Sequence, residues 1–445
     1  MARNTPLTYR SLVIYQIYVR NHGENGTFSD VTADLERICN MGVDVVYFMP
    51  IHPIGKVNKK GGLGCPYSIQ DYEEVNPEYG TKADFKRLID RAHELGMKVM
   101  IDVVYNHTAH DSRLVAEHPE WFHQDAVGRP VTTVPEWSDV IDLKFEDPAL
   151  PAYLIKVMQD WVRFGVDGFR CDVASLLPLD FWQQARKAVA EVKEGVIWLA
   201  ESVHANFVAH RRQYQLSAVS DSELYTAFDL TYDYDIWPIW QAAVRGDEPL
   251  GRYLEALRYQ DCIYPGNFVK MRCVENHDQL RIMKLARTPK QARAWTALTA
   301  FNKGAFFVYA GQESGADHRP TLFDIDKVAW EDYREMDFIS RLMKLKKMEA
   351  MQQGLLVWTA AEPAVQAVWF NEDDSLFGVF NVNGAEGEVE VSLPDGKYQN
   401  LLGDSMVEVT GGTMVIPEMG CVVRYACPRP PQAVYAPLMD YVLHD

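Results

Sequence analysis

The stretch LIKVMQDWVRFGVDGFRCDVAS, residues 154–175, holds one complete step from helix to strand. Leu154, Val157, Met158, Trp161 and Val162 recur at helical spacing, and 166–171 reads as a strand that stops at a charged pair, Arg170 and Asp172. The same alternation of short Val-, Ile- and Tyr-rich runs with helical patterns, such as Phe85, Leu88, Ile89, Ala92 and Leu95, fills roughly the first 350 residues. That is the signature of repeated strand–helix units and a parallel sheet. The candidate strands are 12–19, 43–49, 99–104, 166–171, 196–200, 226–230, 270–275 and 305–309. Eight such units close into a (β/α)8 TIM barrel, so an α/β fold is expected.

One interval is too long for a simple unit. Residues 107–148, rich in His, Pro, Trp and acidic side chains, read as a small inserted domain after strand 3. Beyond about residue 352 the pattern changes to short alternating strands, 367–370, 376–380, 387–392 and 422–426, which predicts a C-terminal antiparallel β domain. The expected division is a catalytic barrel of 1–106 and 149–351, an inserted domain B of 107–148, a C-terminal β-sandwich domain of 352–430 and a tail of 431–445. Tyr435, Leu438 and Tyr441 predict that the tail packs back on the protein.

Composition narrows the class. The net charge of −18 argues against nucleic-acid and anionic-membrane partners, which require a basic face, and favours a neutral ligand. Cys39, Cys65, Cys171, Cys262, Cys273, Cys421 and Cys427 are scattered, odd in number and without a CxxC pair, as in a protein with reduced thiols. The start, MARNTPLTYR, has no apolar core of a secretory signal, and no apolar run approaches ~18 residues. The expected location is cytoplasmic.

Arg-x-Asp alone describes many structural ion pairs. Here it has company at the C-terminal ends of other strands, where barrels of this kind place their chemistry. The third strand ends MIDVVYNHT, with Asp102, Asn106 and His107; the fifth ends WLAESV, with Glu201; the seventh ends CVENHDQ, with Glu275, Asn276, His277 and Asp278. A lone strand-end Asp or His is usually a capping residue, but four together point to a site. Arg170 beside Asp172 favours the ionised carboxylate. Glu201, flanked by apolar Leu199 and Ala200, is expected to sit in apolar surroundings that favour its proton. Two carboxyl groups in opposite protonation states are what cleavage of an acetal requires.

In order, DVVYNHT, GFRCDVAS, the Glu201 segment and ENHDQ resemble the four signatures of the α-amylase family of glycoside hydrolases, and the resemblance extends over about residues 10–425. It implies a retaining hydrolase of α-glucans with Asp172 as nucleophile, Glu201 as general acid/base and Asp278 as the third carboxylate. It also implies substrate binding by Tyr67, Asp102, His107, Arg170, His277 and Val173, with Tyr67 of GCPYSIQDY as an aromatic platform. Trp137, Trp121, Phe122, Phe323 and Trp330 are candidates for further subsites or for core packing.

The chain departs from the family pattern in two places. Many members follow the nucleophile with Lys-His, which helps bind sugar and calcium, where this chain has Val173, Ala174, Ser175 and Leu176. No cofactor is therefore required, and calcium is a candidate only through Asn106, with Asp139 or Asp142 adding oxygens. The segment NHGENGTFSD, 21–30, lacks the spacing of a calcium loop and reads as the lead into the first helix. Exo-acting glucosidases of the family carry Gly-Tyr-Asp where this chain has Pro66, Tyr67 and Ser68, whereas Val173 is typical of members that tolerate α-1,6 linkages. The expected substrates are maltooligosaccharides or dextrins, cut at α-1,4 or also α-1,6 bonds. A 4-α-glucanotransferase of the same fold is the alternative, and an inactive glycan-binding member is a third reading. A Schiff-base aldolase or metal hydrolase lacks its strand-end Lys or HxH pair.

Overall fold

A computed structural model describes residues 4–330, 332–371 and 374–425. Among these, eight parallel strands close a barrel: β1 (Val13–Ile17), β2 (Val45–Phe48), β3 (Lys98–Val103), β4 (Gly168–Cys171), β5 (Ile197–Ala200), β6 (Leu230–Tyr232), β7 (Val269–Arg272) and β8 (Ala305–Tyr309). Neighbours in sequence are neighbours in the sheet, and β8 returns to β1 through Val13↔Phe306 and Gln16↔Tyr309. Every strand except for Lys98 of β3 is buried along its whole length, as expected of parallel strands covered on both faces.

The helices begin where the sequence can cap them. Phe28–Met41 starts with Thr27 and Asp30 in a reciprocal capping box, and Lys82–Glu94 does the same with Thr81 and Asp84. Asp30 thus closes the segment 21–30 as a helix lead. The periodic residues Phe85, Leu88, Ile89 and Ala92 form the buried stripe of Lys82–Glu94, and Leu154, Val157, Met158, Trp161 and Val162 that of Ala149–Phe164.

The sixth strand lies later than the sequence predicts, at Leu230–Tyr232 rather than 226–230. Ser220 and Glu223 form a capping box that starts the short helix Asp221–Leu224, and the helical turn runs on through Tyr225. That local signal overrides the β propensity of Tyr225 and Thr226.

After β3 the chain forms a two-stranded hairpin, His107–Ala109 with Val140–Asp142, which sets His107 opposite Asp142. The C-terminal sheet is antiparallel, with β9 (Leu355–Ala360), β10 (Val365–Phe370), β11 (Ser375–Phe380) and β12 (Gly420–Tyr425) in that order. Its side chains alternate strictly between two cores. Trp358, Trp369, Leu376, Phe380 and Val422 join the barrel's core, and Trp369 donates its Nε1–H to the carbonyl of Phe301 at 2.6 Å. Val357, Val368, Phe377, Val379 and Val423 face a separate core shared with the small hairpins that follow. Period two along each strand joins the β domain to the barrel on one face and gives it its own interior on the other. Residue 426 and the tail 431–445, with Tyr435, Leu438 and Tyr441, lie outside the described residues.

Candidate active site

Arg170 is the centre of the site because β4 points it into the barrel. Pairing with β3 sets it level with Asp102, and pairing with β5 sets it beside Leu199. Its Nη1 lies 2.8 Å from Oδ1 of Asp102 and 2.8 Å from Oδ1 of Asp172, and its Nη2 lies 3.0 Å from Oε1 of Glu201. Arg170 and Asp102 are wholly buried, and Asp172 and Glu201 nearly so. The rings of Tyr67 and Tyr232 flank the guanidinium, 5.7 and 5.4 Å from its carbon.

Three carboxyl groups therefore share one cation. Burial pushes the Asp172 carboxyl well above the usual range, the charges of Glu201 and Asp102 add to that, and Arg170 pulls it back. Asp102 is raised by the same burial against the same guanidinium. With all three ionised, the cluster would carry two uncompensated charges. Burial thus favours a proton on Asp172 or Asp102, and because the two interact it belongs to the pair rather than to one residue.

The apolar surroundings expected of Glu201 are not what the structure has. Leu199 and Ala200 are part of the β5 wall, while the Glu201 carboxyl reaches back across the gap to β4. There its Oε2 accepts the backbone N–H of Val173 at 2.7 Å. Val173 makes that contact in a left-handed conformation, φ 35° and ψ 44°, which a β-branched residue rarely adopts.

Two histidines complete the floor. His107 Nε2 is 4.0 Å from Oδ2 of Asp172, and its ring lies 5.3 Å from that of Trp137. His277 Nε2 is 2.7 Å from the Tyr67 hydroxyl and 3.1 Å from Oδ2 of Asp278. Burial lowers the pKa of His107 to about 4 and that of His277 to about 3, so both rings are neutral near pH 7. Tyr67 also donates to Oδ2 of Asp102 at 3.0 Å. Asp278 is the open member, with its side chain 41% exposed. Asn276 shapes its turn by accepting the N–H groups of Asp278 and Gln279, and Glu275 ties the loop to Arg281 at 2.7 Å.

Tyr67, Asp102, His107, Arg170, Asp172, Val173, Glu201, His277 and Asp278 thus form one continuous set. Trp137 stands beside it. Trp121 and Phe122 do not line a subsite: both are buried in the inserted segment, with Trp121 stacked on His118 at 3.8 Å. Trp330 packs on His22 and under Arg37, 5.1 Å from each. The calcium candidates are in part engaged by protein groups. Asn106 Nδ2 lies 3.2 Å from His107 Nδ1, Asp139 is paired with Lys60 at 2.7 Å, and Asp142 accepts the N–H and hydroxyl of Thr133. Among the described residues no three His, Cys, Asp or Glu side chains converge as a metal site.

Gln16, Tyr47, Tyr232 and Arg319 also touch this set and carry no motif. Tyr47 donates to Asp102 at 2.6 Å, Tyr232 accepts from Arg170 Nε at 3.3 Å, and Arg319 donates to the carbonyl of Asp278. The first three are inward positions of β1, β2 and β6, where the alternation of the strand offers no sign that they meet the site. A cleft of about 670 Å³ opens elsewhere, between helices Ala205–Gln213 and Leu250–Ile263, walled by Val208, Ile236, Ile239 and Ile263. None of the nine residues lines it, so chemistry rather than size locates the site.

Carboxylates gathered on one guanidinium at the C-terminal ends of barrel strands define a (β/α)8 protein of the glycosidase class. Residues 16–127 match the model described as alpha amylase, catalytic domain, and residues 358–418 match that of the bacterial alpha amylase C-terminal domain. The crystal structure of an alpha-amylase from Lactobacillus plantarum is 43% identical, with a TM-score of 0.91 over 94% of this chain and 100% of that one. That of a noncanonic maltogenic alpha-amylase from Thermotoga neapolitana is 33% identical, with a TM-score of 0.84 over 94% and 100%. An alpha-1,4-glucan:maltose-1-phosphate maltosyltransferase of Corynebacterium glutamicum is 32% identical over 241 residues, 48% of this chain. The match spans only 35% of that protein's length. The chain belongs to the α-amylase family of glycoside hydrolases. No helix among the described residues is long and apolar enough to cross a membrane.

Proposed function

We propose that this chain is a retaining α-glucan hydrolase that cuts α-1,4 linkages of maltooligosaccharides and dextrins, with α-1,6 linkages also within its scope. The observation that carries the reading is the shared guanidinium, with Asp172 at 2.8 Å and Glu201 at 3.0 Å from Arg170. It keeps the two carboxyl groups as neighbours, as retaining enzymes require at ~5–5.5 Å.

Asp172 attacks the anomeric carbon while Glu201 gives its proton to the departing oxygen, which forms a glycosyl ester on Asp172. Glu201 then takes a proton from water, which attacks the same carbon and frees Asp172. The step requires Glu201 as the proton donor and Asp172 as the anion, which Arg170 stabilises at 2.8 Å. Asp278, on the open side, holds sugar hydroxyls and balances the positive charge that develops on the ring. Proton NMR of the first product from an α-linked substrate is expected to show the α-anomer; the β-anomer would overturn the reading.

A glucanotransferase is the second reading, favoured by the likeness to maltosyltransferases. A sugar hydroxyl would replace water at the second step. Chromatography of products from maltoheptaose, pullulan and panose separates the two: hydrolysis gives only shorter chains, and transfer gives products longer than the substrate.

A further inference from the structure

Gln16 is the one polar side chain of β1 turned toward the site, wholly buried, and its Nε2 lies 2.8 Å from Nδ1 of His277. Two contacts on opposite sides of the imidazole agree about its proton. An amide N–H group facing Nδ1 requires a lone pair there. On the other side the Tyr67 hydroxyl, whose own hydrogen goes to Asp102 at 3.0 Å, faces Nε2 at 2.7 Å as an acceptor and so requires a hydrogen there. The rest of the chain follows in one direction only. The Nε2–H group points to the Tyr67 hydroxyl at 2.7 Å, which leaves the tyrosine's own hydrogen for Oδ2 of Asp102 at 3.0 Å. Asp102 in turn shares Nη1 of Arg170 with Asp172. The opposite tautomer would draw the Tyr67 proton away from Asp102.

We infer that Gln16 is a positioning residue that fixes His277 as the neutral Nε2–H tautomer and thereby sets the direction of a hydrogen-bond chain running from Gln16 to Asp102, onto which Arg170 donates from the other side. The consequence for catalysis rests on the functional reading above; the tautomer does not. The charged and titratable groups facing His277 are Asp278, Tyr67, Arg170, Glu201 and Arg319, and none of them touches Nδ1, which leaves Gln16 to control that atom.

The test is long-range proton–nitrogen NMR on protein with labelled histidine, with His277 assigned by its loss in His277→Gln. Wild type is expected to show a bare Nδ1 and a protonated Nε2 between pH 5 and 8; a protonated Nδ1 would overturn the inference without any variant. Gln16→Met keeps the volume and removes the donor. It is expected to mix the tautomers and lower kcat about fivefold to tenfold with a smaller change in KM, the size of one lost hydrogen bond. Gln16→Glu, which can only accept, is expected to protonate Nδ1 and add a new limb to the pH–rate profile in the neutral range. Wild-type tautomer and kinetics in both variants would show that Gln16 only packs. If wild type proves inactive on α-glucans while Gln16→Met still changes the tautomer, the functional reading fails and the positioning role stands.

Discussion

The backbone N–H of Val173 donates to Oε2 of Glu201 at 2.7 Å, and it can do so because Val173 sits at φ 35°. A β-branched residue in the left-handed region costs about 1–3 kcal/mol, and such strain persists where a site needs it. The strain ties the residue after the proposed nucleophile to the proposed acid/base. Val173→Gly relieves it and frees the loop. We expect a melting temperature no lower than wild type together with a kcat about fivefold lower. Lower stability with unchanged kcat would show that the Val173 side chain serves packing and that its strained conformation is not needed to hold Glu201.

The crowding of three carboxyl groups on Arg170 predicts a stability cost. Burial raises the Asp172 pKa in the folded protein above its unfolded value. Its contribution is therefore fully present below about pH 3.9, where the unfolded carboxyl is also protonated, and is lost as pH rises through the folded value. Asp172→Asn removes one charge without changing shape. It is expected to abolish turnover, by on the order of 10⁴-fold or more, while stabilising the fold by about 0.5–2 kcal/mol at pH 7–8. The gain should shrink toward zero near pH 3.5. Denaturant titrations across that range would refute the crowding if the variant were equally or less stable at every pH.

The barrel and the carboxylates were legible because a polar residue that ends an apolar run is visible in one dimension. Asp172 and Glu201 directly follow the apolar ends of β4 and β5, while Asp102 and Asp278 lie in the polar motifs DVVYNHT and ENHDQ. Gln16 in VIYQI and Tyr47 in VVYF are polar atoms inside apolar runs, where period and propensity read as barrel wall. Their role depends on which face of the strand turns inward, which is set by closure of the sheet. Arg319 reaches Asp278 from a loop 41 positions away, and only the tertiary fold brings the two together. The apolar neighbours of Glu201 misled for a related reason: a residue's neighbours in sequence lie along its strand, while its side chain meets the next strand.

The contacts of Asn106, Asp139 and Asp142 predict indifference to chelators. Asp139 is already paired with Lys60, and among the described residues no three His, Cys, Asp or Glu side chains converge to hold an ion with Asn106 or Asp142. After dialysis against EDTA we expect the melting temperature and kcat to stay at their starting values. A fall that added calcium reverses would place a cation at contacts other than these.

Lys270 of β7 is wholly buried and faces outward from the barrel, with its ammonium on Asp221, 3.0 Å from Asp235 and 3.1 Å from the carbonyl of Tyr232. The same Oδ2 of Asp221 accepts the hydroxyl of Ser202 at 3.0 Å, one residue beyond Glu201, so this cluster anchors the loop that carries the proposed acid/base. Lys270→Met would leave two carboxylates buried without their cation. Breaking a buried pair in this way costs about 3–5 kcal/mol, mostly as the penalty of the stranded charge. If the charge is the cause, then adding Asp221→Asn and Asp235→Asn to Lys270→Met should restore most of the stability, because the neutral amides need no counter-ion. Urea titrations of the single and triple variants decide this. Equal losses in both would show that the stranded charges of Asp221 and Asp235 are not the cause.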